Sequence, residues 1–104
     1  MSSPATNAWS VINLLRVLGV ASATKSAIHT KWEAGMSPPQ TTQTIDSARV
    51  DDGCAFLVAH GFATLVGSTL TATNIGADGR PKHLRRAGNG LEVLPDGEKV
   101  QDGT

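Results

Sequence analysis

The chain has no tyrosine, two tryptophans, two phenylalanines and a single cysteine, and each scarcity removes a class of explanation. Aromatic residues make up 4% of the chain against 39% hydrophobic residues in all, so the core has to be built from Ala, Val, Leu and Ile. Trp9 and Trp32 then carry a large share of the buried area that any rings supply. Cys54 alone cannot make an internal disulfide, so nothing points to an oxidising compartment and a cytoplasmic setting is expected. Charge of one sign is also missing. Nine basic and nine acidic residues cancel, which removes the whole-molecule field of a strongly cationic nucleic-acid binder. No apolar run is long enough to span a bilayer. The nearest rival, VINLLRVLGVASA at residues 11–23, ends in the small residues Ala21-Ser22-Ala23, but no Lys or Arg precedes it and Arg16 interrupts it. It therefore reads as a helix of the domain and not as a leader.

Chemistry-bearing clusters are equally sparse. His29, His60 and His83 are scattered, with no His or Cys pair at a ligand spacing. Cys54 falls on an apolar stripe six residues from His60, which favours an inert core thiol over a nucleophile. Asp51-Asp52 are adjacent in sequence and so do not share a helix face as an acid/base pair would. The GADG and GNG pieces lack the strand before and the helix after that a phosphate loop needs. No enzyme activity and no cofactor are expected.

What is present is the pattern of a small α+β domain. The 104 residues suffice for one core. Ser3-Pro4 can open a helix, since proline has no amide to waste in the first turn. Trp9, Val11, Ile12, Leu14, Leu15 and Leu18 give it an apolar stripe that Gly19 ends. A second helix is expected over Ser22–Ala34, with Ile28 and Trp32 one turn apart and Gly35 as its stop. Residues 36–44, with Pro38-Pro39, read as a loop. A third helix runs between Thr44 and His60 on Ile45, Val50, Cys54, Leu57 and Val58, weakened by Gly53 and stopped by Gly61. Phe62–Val66 and Thr69–Thr73 are strands joined by Gly67-Ser68, a pair suited to a type II′ turn. Domain organisation follows: residues 1–77 form the domain and 78–104 an extension, first basic (Arg80, Lys82, Arg85, Arg86) and then acidic. That extension is either mobile or a small docked hairpin, with residues 91–100 turning about Pro95-Asp96-Gly97.

Residues 54–76, CAFLVAHGFATLVGSTLTATNIG, resemble the end of the recognition helix and the wing of winged helix-turn-helix repressors of the multiple-antibiotic-resistance type. Leu57, Gly61, Phe62 and the Thr73-Asn74-Ile75-Gly76 run occupy that family's positions, and Val50 and Cys54 fit its buried helix positions. The resemblance covers about a quarter of the chain. It implies a mainly helical winged helix, three helices followed by a two-stranded wing, that binds double-stranded DNA as a homodimer, in transcription regulation or as a partition or replication accessory. It also implies base contacts from Thr44, Ser47 and Arg49 on the third helix, with the wing on the backbone or minor groove. Two features depart from the family: Asp46, Asp51 and Asp52 on or near the proposed recognition helix, and a long connection between the second and third helices. GRPKH, residues 79–83, resembles the Gly-Arg-Pro core of AT-hooks, except that Asp78 stands where a basic residue is usual. A solvated charged turn explains the same residues equally well. Arg80, Lys82, Arg85 and Arg86 after a wing would sit beside DNA held by the third helix. The apolar first helix, Trp9 to Leu18, is the candidate for a shared dimer surface. The alternative use of such a scaffold is as an adaptor or inhibitor that presents its acidic helix to a protein.

Overall fold

The computed structural model describes residues 4–34, 47–87 and 90–94. Among them are three helices and five short strands, in the order α1 (Pro4–Leu18), β1 (Ser22–Thr24), α2 (Lys25–Ala34), α3 (Ser47–Ala59), β2 (Ala63–Val66), β3 (Thr69–Ala72), β4 (Leu84–Ala87) and β5 (Gly90–Val93). The fold is α+β. Three helices pack on a three-stranded antiparallel sheet of order β1-β3-β2, and β4 and β5 form a separate hairpin.

Local chemistry explains the element ends. Pro4 opens α1. Helix α3 ends with the Phe62 amide donating to the Leu57 carbonyl at 2.8 Å and the Gly61 amide to the Val58 carbonyl at 3.2 Å. This paired closure needs a left-handed residue, and Gly61 supplies it at φ +80°. The β2–β3 hairpin turns on Gly67-Ser68 with Val66 opposite Thr69. Gly67 has φ +61° and Ser68 lies outside the positive region, the combination that a type II′ turn requires.

Two expectations change here. Residues Ser22–Thr24 were expected to begin the second helix, but they form β1, antiparallel to β3 with Ser22 opposite Thr71 and Thr24 opposite Thr69. Thr24 then caps the helix that follows, its Oγ1 accepting the Ala27 amide at 3.1 Å. The extended backbone of an N-cap residue is also strand backbone, so one threonine serves both elements. The segment expected to turn about Pro95-Asp96-Gly97 contributes its first residues to a hairpin not foreseen, in which β5 pairs β4 with Leu84 opposite Val93 and Ala87 opposite Gly90. That register buries Leu84 and Leu94. Residues 95–100, with the Pro95-Asp96-Gly97 turn, lie outside the described residues.

The core is aliphatic. Ala8, Val11, Ile12 and Leu15 of α1 meet Ile28 of α2, Val50, Cys54 and Leu57 of α3, Ala63, Leu70 and Ala72 of the sheet, and Leu84 of β4. Trp9 packs on its edge and donates its indole N–H to the Leu84 carbonyl at 3.0 Å, which fastens the second hairpin to α1. Helix α1 is thus central, in contact with α2, α3 and the β4–β5 hairpin. The stripe expected to be a dimer surface is used within the chain, because Val11 and Leu15 are completely buried.

Gly53 marks the closest approach of α1 and α3. A Cβ there would stand 2.8 Å from the Asn7 carbonyl oxygen and 2.8 Å from Val11 Cγ2, and the first of these is backbone that cannot swing away. Helix propensity alone favours alanine at position 53 by about 1 kcal/mol. Overpacking opposes it by about 1–3 kcal/mol and more where backbone must shift. Gly53→Ala is therefore expected to lower stability in urea unfolding, whereas Ala55→Gly, exposed on the same helix, should cost only about 1 kcal/mol. A Gly53→Ala variant more stable than the parent would show that the helices do not approach this closely.

Candidate nucleic-acid interface

The residues singled out for DNA contact fall on two surfaces. Thr44 lies outside the described residues, as does Asp46. Ser47, the first residue of α3, is exposed, and the outward face of that helix continues through Ala48, Asp51, Asp52, Ala55 and Val58. Arg49 is the one cation in α3, and it turns inward. Its Nε donates to Asn7 Oδ1 at 3.2 Å, and its guanidinium carbon lies 4.8 Å from the centre of the Trp32 ring. Asn7 is buried, so the hydrogen bond satisfies a polar atom that water does not reach. Arg49 therefore bridges α1, α2 and α3, which gives it a structural role. What α3 shows to solvent is acidic. Asp51 is partly offset by Lys25, whose Nζ stands 3.0 Å from its carboxylate. The hydrogen bond to Asp51 raises the Lys25 pKa above the ordinary lysine value.

The β2–β3 hairpin leads away from α3 but does not project far. Strand β1 flanks β3 as far as Thr69, and the Lys25 amide donates to the Ser68 carbonyl at the turn at 2.8 Å. Val66, at the tip, is 79% exposed.

The basic segment is built into the fold. Ile75 bridges Pro81, the Gly76 amide donates to the Arg80 carbonyl at 2.8 Å, and the Lys82 amide donates to the Asn74 carbonyl at 2.9 Å. Arg16, in the last turn of α1, donates to the Pro81 carbonyl and pairs with Asp78 at 3.3 Å. Pro81 is itself buried. An AT-hook needs its Arg-Pro backbone free to enter a groove, and this one is paired along its length, so that resemblance does not extend to the structure. Asp78, the residue that breaks the hook pattern, organises the knot. It accepts the Arg80 amide at 3.0 Å, and that bond, followed by Arg16, holds its pKa below the ordinary value. The Arg80 guanidinium lies beside Gly19 at the end of α1, where the helix dipole favours a cation. Arg85 stands opposite Glu92 and donates to its carboxylate, while Arg86 lies in β4 opposite Leu91.

Helix α1 packs against both α3 and the β4–β5 hairpin. Arg16, Lys25 and Asp78 were missed because their partners are distant in sequence. Among the described residues no group of three or more His, Cys, Asp or Glu is placed to hold a metal ion, and no helix is long and apolar enough to cross a membrane. Cys54 is fully buried, and burial raises the pKa of its thiol. No protein-family model, curated protein or solved structure matches this chain.

Two outcomes test these placements. Arg49→Met leaves Asn7 Oδ1 buried without a donor and should destabilise the fold by about 1–3 kcal/mol in urea unfolding. A neutral effect would mean that the side chain is not held inward. The depressed pKa of Asp78 gives stability that is present above its ordinary value of 3.8 and is lost as the pH falls through the native value. Asp78→Asn should then be less stable than the parent at neutral pH, with the gap closing in acid. A gap independent of pH would exclude the charged pairing.

Proposed function

We propose that the chain is a winged-helix domain that binds double-stranded DNA, as a transcription regulator or a partition or replication accessory factor. The observation that carries this reading is the chain order: three helices, the third closed by Gly61 and followed directly by a two-residue-turn hairpin whose sheet packs back on the helices. The geometry also dictates how binding would be divided. With Arg49 turned inward, α3 offers Ser47 and Ala48 near its start but no outward cation. Phosphate contacts, the main source of affinity for most DNA binders, would fall to the segment bearing Arg80, Lys82 and Arg85. A second reading, a scaffold that binds a protein partner in place of DNA, is favoured by exposed Asp51 and Asp52 on the same helix.

A fluorescence titration of duplex DNA at several salt concentrations separates the two. Binding should weaken as salt rises, and replacing Arg80, Lys82 and Arg85 together with Gln should weaken it on every sequence and reduce the log–log salt slope by about 3. Ser47→Ala should alter sequence preference with little change in that slope. Absence of binding to random and genomic duplexes at low salt would exclude the DNA reading in favour of the protein partner.

A further inference from the structure

Asp78 stands two residues before Arg80, within the segment proposed for phosphate contact. By charge alone it is misplaced, since a carboxylate there repels the polyanion that its neighbours attract. Its bonds give it another part to play. One oxygen, Oδ1, accepts the Arg80 amide at 3.0 Å, and the other, Oδ2, lies 3.3 Å from Arg16 Nη2. The remaining terminal nitrogen of that guanidinium, Nη1, donates to the Pro81 carbonyl. Arg16 belongs to the last turn of α1 and its side chain is largely out of solvent, so both prongs of the fork are anchored in the helix.

What the clasp holds is a loop with a cation on each side of a buried proline. Gly79 turns the chain at φ +78°, its amide donating to the Gly76 carbonyl at 3.1 Å, while Gly76 bonds Arg80 and Lys82 bonds Asn74 across the turn. So short a ladder does not hold itself in water. Buried Pro81 and the Arg16–Asp78 clasp tie it to α1. A loop already ordered keeps the affinity that ordering on contact would consume. We propose that Arg16 and Asp78 are positioning residues for DNA: they fix the backbone that carries Arg80 and Lys82, so Asp78 favours binding of a polyanion although its charge opposes it. This role rests on the proposed DNA binding by the same segment.

The sign of one substitution tests it. Asp78→Ala removes a negative charge, so charge alone predicts tighter binding to duplex DNA. Loss of the clasp predicts the opposite, a dissociation constant raised roughly tenfold, because the loop must then be ordered at each encounter. Arg16→Lys keeps the charge but loses the fork, and should weaken binding by a similar factor. Far-UV circular dichroism establishes that both variants are folded at the titration temperature. A clasp that serves stability alone lowers their unfolding midpoints and leaves folded Asp78→Ala the tighter binder. Amide hydrogen exchange without DNA gives a second readout: Gly76 and Lys82 should exchange about tenfold faster or more in Asp78→Ala, with Ala72 of β3 unchanged. Binding by Asp78→Ala that is equal to or tighter than the parent's overturns the proposal, as does unaltered exchange at Gly76 and Lys82. A parent chain that binds no duplex at low salt overturns the DNA reading itself and this role with it, an outcome seen before any substitution is made.

Discussion

Helix α3 lies against helix α1 at Gly53 with no room for a methyl group, and the placement of the other functional groups follows from that contact. It brings the first turns of α3 over Asn7, whose side chain is buried and needs a donor. Arg49 is one turn before Gly53 and supplies that donor, with Trp32 of α2 beneath its guanidinium. Once Arg49 is committed inward, the opposite side of the helix is left to Asp51, Asp52 and small residues. The acidic surface and the close crossing are thus two sides of one arrangement. Net charge conceals this, because the cation is still counted although its side chain is turned into the fold.

The same central helix explains why the basic residues are elsewhere. Trp9 holds the Leu84 carbonyl, Arg16 holds the Pro81 carbonyl and Asp78, and between them the segment from Asp78 to Leu84 is fixed along α1. Leu84 belongs to the core that α1 shares with α3. Leu84, in the segment read as an extension, is thus part of the domain's single described core.

The helices were legible because aliphatic residues recur at helical spacing, and Gly61 and Gly67-Ser68 were legible because a left-handed stop and a II′ turn demand glycine. Strand β1 was not, since Ser-Ala-Thr has no period of its own and becomes a strand only by pairing with β3. Strand β4 was not foreseen for a related reason: its pairing with β5 buries Leu84 and gives the Trp9 indole an acceptor, which no local rule can weigh. The direction of Arg49 was illegible as well. On a helical wheel Arg49 borders both faces, and its choice is made by Asn7, forty-two residues away.

Those charges also limit what a polyanion can gain. Lys25 is paired with Asp51, Arg16 with Asp78 and Arg85 with Glu92. A phosphate group must share or replace these carboxylates, and the ease of doing so differs among them. Exposed pairs are worth about 0–1 kcal/mol, so Arg85 can exchange Glu92 for phosphate at little loss. Arg16 cannot, because its side chain is only 16% exposed and also holds the Pro81 carbonyl that fixes the basic segment. Arg80 is intermediate: its amide is engaged by Asp78 while its guanidinium rests by the end of α1. Under the proposed DNA reading, a nucleic acid on this flank would meet a few exchangeable cations, and with the chain's basic and acidic residues in balance its association would be governed by contact and not by steering.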